Sequence, residues 1–350
     1  MASGTLDIDL SAITANWRAL DAVTPQGVRT AVMVKADGYG LGASPIATRL
    51  RAAGAEDFFV ALAEEGVALR AALGPGPRIG ILSGHMSGDA PILAAHNLTP
   101  MLTSRAQVAR HLHELPDHPF GIQLETGMNR LGLDPQDWQA VAAEVLARGP
   151  RLLMSHMACS DDPAHPLNAR QLAVFRAMTD GTGVRRSLAS TGGILLGRAY
   201  DFDLTRPGIG LYGGAPFADA RAVVRLSLPV VQVRALAPGQ TVGYGATWTA
   251  SRPTRLATVA AGYADGLFRA LTNRATLYAG SVPCPLVGRV SMDLVTVDVT
   301  AAPEDLPDQL ELLGAHQGID ALAQAAGTIG YEILTALGSR YDRHYGQVAA

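Results

Sequence analysis

The chain has 350 residues, enough for two domains, and its 48% hydrophobic and 17% charged composition supplies sizeable cores and excludes disorder as the dominant state. A formal net charge of −3, from 28 basic against 31 acidic residues, raises no broad positive field for nucleic acid or an anionic membrane, so any anion recognition must be local. Cys159 and Cys284 have no metal or redox spacing and read as reduced thiols, while the first ten residues lack a basic segment followed by an apolar stretch and no apolar run approaches ~18 residues. The expectation is a cytoplasmic protein.

From about Ser11 to Gly213, short apolar runs alternate with alanine-rich helical text. Strands are expected at 30–34, 58–61, 79–82, 121–124 and 152–156, and helices at 45–53, 63–73, 136–147 and 168–178, where leucine and alanine recur at helical spacing. This rhythm predicts parallel β/α units, and about eight of them form a barrel of roughly 200 residues. Near Ala218 the texture changes to valine- and threonine-rich strands at 228–233, 255–260, 282–287 and 294–299, with one helix at 319–326. The expected fold is α/β, a TIM-like (β/α)8 barrel over 9–217 and a mostly β domain over 218–350, to which residues 1–8 add a strand.

Lys35 follows the apolar run Ala31, Val32, Met33 and Val34 and opens into Asp37, Gly38, Tyr39, Gly40 and Gly42. An ammonium at the mouth of a buried strand loses hydration, which lowers its pKa and frees an amine to form a Schiff base. The glycines permit positive φ and close backbone approach, and the Tyr39 hydroxyl suits a phosphate oxygen. A lysine snorkelling before an ordinary glycine turn fits the segment equally well. Gly38, Gly40 and Ala43, with Glu56 and Asp57 further on, also fit a loose dinucleotide fingerprint, but Lys35 to Asp37 intrude where the strand should meet the first glycine.

Other reactive groups end later strands, where barrels collect function. Arg130 follows a strand through Gly127, Met128 and Asn129, and its fork of donors suits a phenolate or carboxylate, or else it is a surface arginine. His156 ends a strand before Cys159, Asp161, Asp162 and His165, whose spacing is not that of a zinc site, so a hydrogen-bonding histidine is expected and no metal. Arg206 precedes Pro207, Gly208, Ile209 and Gly210, whose amides can form a phosphate nest or merely a tight turn; Ser190 and Thr191 add hydroxyls. Tyr263 sits among Gly262, Asp265 and Gly266 and becomes a base only where a neighbour lowers its pKa.

Taken together, VKADGYGLG, TGMNRLG, SHMACSDDP, RPGIGLYG, AGYADG, GRVSMD and TIGYE resemble, in order and over nearly the whole chain, the alanine racemase family of fold-type III pyridoxal phosphate enzymes. The resemblance implies an isomerase interconverting L-alanine and D-alanine by two bases. Lys35 would hold pyridoxal 5'-phosphate in imine linkage, and Tyr263 of a partner subunit would face the other side of the substrate. It further implies that Arg206 bonds the pyridine nitrogen, that His156 links Arg206 to Tyr263, and that Tyr39, Ser190, Thr191, Gly208, Ile209 and Tyr331 hold the phosphate. Arg130, Arg289 and Leu312 would meet the cofactor or substrate, with Arg289, Ile329 and Tyr331 at the entry. A head-to-tail homodimer with composite sites follows from the same resemblance. Two departures stand out: Gln123 replaces the lysine that many members carbamylate to brace the equivalent of Arg130, and Ser190 with Thr191 replaces Asn-Ser. A barrel-only carrier protein and a decarboxylase or aldolase of the same fold type are the competing readings; the second domain and Arg206 count against them.

Overall fold

Short, β-branched and aromatic runs separated by amphipathic helices give the chain its first half. In the computed structural model, which describes residues 4–346, seven parallel strands pair in chain order: Val32–Met33, Asp57–Val60, Arg78–Ile81, Thr99–Leu102, Gly121–Gln123, Leu153–Met154 and Arg186–Ser187. An eighth stave closes the ring. Leu204–Thr205 pairs with Arg29–Thr30, and the amides of Asp203 and Arg206 donate to the carbonyls of Arg186 and Ala189. The expected strand at 30–34 is therefore split at Ala31, because its two halves pair with different neighbours, Leu204–Thr205 and Phe58–Phe59.

Two glycines let the ring close over large side chains. A Cβ on Gly80 would lie 2.4 Å from the Phe59 ring, and one on Gly121 would lie 2.5 Å from Met101 Sδ. Helices cover the outside, among them Ala63–Leu73, Pro135–Ala147 and Pro166–Thr179. Asp134 caps the second of these by accepting from the Asp137 amide, and Trp138 ties it to the third by donating to the Met178 carbonyl at 2.9 Å. Phe120, Ile122, Phe175 and Leu188 fill the space between sheet and helices.

The chain divides into two compact units. One is the barrel, Thr14–Leu211 with Ala215–Asp219; the other takes the described residues up to Ile13, Tyr212–Gly214 and those from Ala220 onward. The second unit is built on the long strand Val224–Leu236, which pairs with Thr254–Val259, Gln309–Leu313 and Thr5–Asp9. Thr5–Asp9 also pairs in parallel with Asp342–Gly346, so the amino-terminal segment adds a strand to this sheet. Alternate residues Leu6 and Ile8 are fully buried, as expected for a strand with one covered face. Strands Thr276–Ala279, Gln309–Leu313 and Asp342–Gly346 and the helix Gly330–Ala336 go beyond the sequence expectation, since polar, proline- or glycine-flanked text masks their period.

Candidate active site

Lys35 leaves the barrel at the carboxyl end of Val32–Met33, and the next five residues, Ala36 to Gly40, all have φ between +51° and +80°. L-residues resist this left-handed turn by about 1–2 kcal/mol each, so surrounding bonds must impose it. Glu65 supplies several of them: its carboxylate accepts from the amides of Ala36 at 2.6 Å, Ala61 at 2.7 Å and Leu62 at 3.1 Å, stitching two strand ends together. Asp37 Oδ1 accepts from Ala43, which starts the helix Ala43–Ala52 two residues before the expected boundary. The Lys35 amine is half-buried, and burial first, then the Arg130 charge, push its pKa down, against an opposing pull from Glu65.

The turn also delivers Tyr39. Its hydroxyl lies so close to Gly208 that a Cβ there would sit 2.2 Å away. On the other flank, Thr191 Oγ1 accepts from the amides of Gly208 at 3.1 Å and Gly210 at 3.2 Å. Tyr39, Thr191, Gly208 and Ile209 thus converge, and Ser190 directly precedes the helix Thr191–Leu196. With both lone pairs of Thr191 engaged, its proton is left to donate outward, which suits a phosphate oxygen.

Arg206, just past the end of the strand Leu204–Thr205, is 2% exposed. It donates to Ser187 Oγ and, at 2.6 Å, to the Ser155 carbonyl, and no carboxylate pairs with it among the described residues. Burial lowers its pKa to about 10. His156 is pushed down to about 3, mostly by burial, then by the charges of Arg206, Arg130 and Lys35. The imidazole is therefore neutral at physiological pH. Its ring makes no hydrogen bond to Arg206 among the described residues; the backbone of Ser155 does so instead.

Lys35, Arg130, His156 and Arg206 line one cavity of about 90 Å³ together with Met33, Gln123, Glu125 and Met154. Gln123 donates to the Leu124 carbonyl at 3.3 Å and makes no hydrogen bond to Arg130 among the described residues. Glu125 shapes the Arg130 loop by accepting from the Gly127 and Arg130 amides. Gln171, which the sequence reading passes over, is fully buried and bonds Thr126 Oγ1, the His156 carbonyl and the Ala158 amide. It fixes the segment that carries His156. Glu56 and Asp57 lie at the opposite end of their strand, ion-paired to Arg29 and Arg78, so the dinucleotide alternative lacks its acid near the glycine turn.

In the strand-rich unit, Tyr263 stands on a short turn, 47% exposed. Its amide donates to the Ser291 carbonyl and that of Ala264 to Met292, both at 3.0 Å. Gly262 is required there because a Cβ would meet both carbonyl oxygens at 2.3 Å. Asp265, fully buried, accepts from Gly262 and from Arg340. Arg289 lies against Gly245, and Ile329 and Tyr331 are exposed at the start of the helix Gly330–Ala336. Leu312 is the exception: it is 1% exposed inside the strand Gln309–Leu313 and has no free face for a substrate. Met292, 54% exposed, lies beside the Tyr263 turn, its carbonyl accepting from the Ala264 amide.

Residues 8–216 match the family model described as alanine racemase, N-terminal domain, and residues 223–345 match alanine racemase, C-terminal domain. The chain belongs to the alanine racemase family. Among curated members, alanine racemases of Cereibacter sphaeroides and Dinoroseobacter shibae are each 63% identical, the first over 100% of both chains and the second over 99% of both. Among solved structures, alanine racemase from Bartonella henselae with covalently bound pyridoxal phosphate superposes with a TM-score of 0.93 at 36% identity, covering 99% of this chain and 100% of that one. The biosynthetic alanine racemase of Pseudomonas aeruginosa gives 0.92 at 36% identity over 99% of each. Both family segments are thus present, in the order that the motifs anticipate.

Proposed function

We propose that the chain interconverts L-alanine and D-alanine with pyridoxal 5'-phosphate, Lys35 and Tyr263 serving as the two bases. The observation that carries this reading is the pairing of a half-buried amine of lowered pKa with a buried guanidinium that has no carboxylate partner among the described residues. Both suit this cofactor. A neutral amine is the form that condenses with an aldehyde, and a guanidinium facing a pyridine nitrogen keeps that nitrogen unprotonated, which restrains the ring as an electron sink and disfavours transamination. The Tyr39 hydroxyl, the outward proton of Thr191 and the backbone over Gly208 and Ile209 fit a phosphate, with Ser190 beside them and Tyr331 as a further contact.

When bound, the cofactor delocalises the electron pair left by removal of the substrate α-proton. The chain's own groups do the rest. Lys35 Nζ exchanges a proton on one face of the α-carbon and the Tyr263 hydroxyl of a partner subunit on the other, so removal on one side and return on the opposite side inverts the centre. Arg130 orients the cofactor's phenolic oxygen and the substrate, and neutral His156 adds no competing charge beside Arg206. Arg289, Ile329 and Tyr331 narrow the approach, and we assign to Met292 the substrate contact that Leu312 cannot make.

The same reading implies a homodimer, since Tyr263, Met292, Ile329 and Tyr331 are large apolar groups left exposed on one unit. No described helix is long and apolar enough to cross a membrane, in keeping with a cytoplasmic enzyme. Incubation of the cofactor-loaded protein with L-alanine in deuterium oxide tests the function. Deuterium entering Cα together with loss of chirality is expected; cofactor binding without exchange would reject the assignment.

A further inference from the structure

The barrel has a second cavity, of about 310 Å³, at the end away from Lys35. Asp57, Arg78, Thr99, Arg151, Arg185 and Leu204, which line it, all stand at or just before the amino ends of barrel strands. Its walls inside the ring are Phe59, Met101 and Leu152. The two cavities lie back to back on shared strands: Leu152 lines this one and Met154 the catalytic one, as do Leu204 and Arg206.

The charges at this mouth do not balance. Asp57 is fully engaged, by Arg78 at 2.5 Å and Arg29 at 3.2 Å, so it offers nothing to the other arginines. Arg151 and Arg185 precede the neighbouring strands Leu153–Met154 and Arg186–Ser187, their backbones held in the ladder by Arg151 N to Phe120 O and Leu153 N to Arg185 O. Neither guanidinium has an ion pair among the described residues, and Arg185 Nη2 is buried from solvent with no hydrogen-bond partner there. Two guanidiniums that line one cavity with no ion pair among the described residues, one with an orphaned donor, call for an acceptor carrying negative charge.

We propose that this cavity is a binding site for a compact organic dianion, a small dicarboxylate whose charged ends meet Arg151 and Arg185 and whose hydrocarbon rests on Phe59, Met101 and Leu152. The apolar floor is what favours carbon between the charges over a bare inorganic anion. The site uses none of the residues assigned to racemisation, so it stands or falls separately from that function.

Calorimetric titration of the cofactor-loaded protein with succinate tests it, at constant ionic strength set with chloride and with alanine saturating, so that carboxylates are kept from the catalytic cavity. One saturable site per chain is expected, without change in cofactor absorbance and weakened about tenfold or more by Arg185→Met. Arg151→Met, at an exposed position, provides a second variant with the same expected loss should Arg185→Met fold poorly. Absence of saturable succinate binding, binding that survives both substitutions, or tighter binding of inorganic phosphate than of succinate would each overturn the assignment.

Discussion

Arg340 grips Asp265 with two parallel bonds, Nε to Oδ1 at 2.6 Å and Nη2 to Oδ2 at 2.7 Å, while Asp265 Oδ2 also accepts from the Gly262 amide at 2.9 Å. The carboxylate is fully buried and Arg340 half-exposed, with Asp293 on its remaining side. Because Gly262 and Asp265 flank Tyr263, this fork fixes the turn that aims the phenol. Arg340 is a positioning residue. Arg340→Met leaves a buried carboxylate short of its partner, and we expect a measurable loss of stability, smaller than for a fully buried pair because Arg340 is solvated. The kcat for L-alanine should fall more than its KM changes, and Arg340→Lys, which keeps charge without the fork, should recover only part. Unchanged kcat in a folded Arg340→Met protein would remove the positioning role.

Lys35 and Tyr263 should fail differently. Lys35→Ala is expected to abolish racemisation and the covalent cofactor absorbance together. Tyr263→Phe should retain the absorbance but lose roughly 10²–10⁴-fold in the direction that starts from L-alanine, the range for removing a general base. Mixing the two inactive proteins provides the test of shared sites: hybrid dimers restore one intact pair of bases, so recovered activity on mixing is expected.

Gly208 is held against Tyr39 too closely for any side chain. Gly208→Ala should displace the Tyr39 ring and weaken cofactor retention by about tenfold or more, with little change in circular dichroism; cofactor lost on dialysis is the measurement. Thr191→Val strands the amides of Gly208 and Gly210, at about 1–3 kcal/mol for each buried donor, whereas Thr191→Ser keeps the acceptor and should behave nearly as the parent.

Away from the site, His111 is fully buried and its pKa is pushed down to about 4, chiefly by burial. Its Nε2 faces the His118 carbonyl, so that nitrogen carries the proton and Nδ1 must accept from His85 Nδ1 at 3.1 Å. Below about pH 6.5 the unfolded chain binds a proton here that the folded chain does not. The stabilisation is complete above that pH and is lost as pH falls toward 4, to at most about 3 kcal/mol. Urea midpoints between pH 4 and 7 should therefore show a slope that His111→Phe reduces by about one proton; an identical slope in that variant would exclude His111 as its source.

How much was legible depended on the range of the interactions involved. The helix Ala63–Leu73 and the alternation of strand and helix follow from local period, and Lys35, Arg130, His156 and Arg206 could be picked out because barrel chemistry collects at strand ends. The expected substrate contact of Leu312 meets a side chain buried inside Gln309–Leu313, because a position in the sequence does not say which face of a strand it occupies. Glu65, Gln171 and Arg340 escaped notice for a related reason: each acts on a segment between 13 and 75 residues away, and no local pattern marks an acceptor for a distant amide.

The order of motifs by itself determined the family, the two-part architecture and the identity of the candidate bases, since those depend on which side chains follow which strands. Only the tertiary structure decided that Arg206 rests on Ser155 and Ser187, that Gln123 turns to Leu124 and leaves Arg130, and that Met292 accompanies Tyr263. Hydrogen bonds between chain-distant groups depend on where the barrel closes and how the strands register, and burial sets the pKa of Lys35 and His156 only after that closure has removed water from around them.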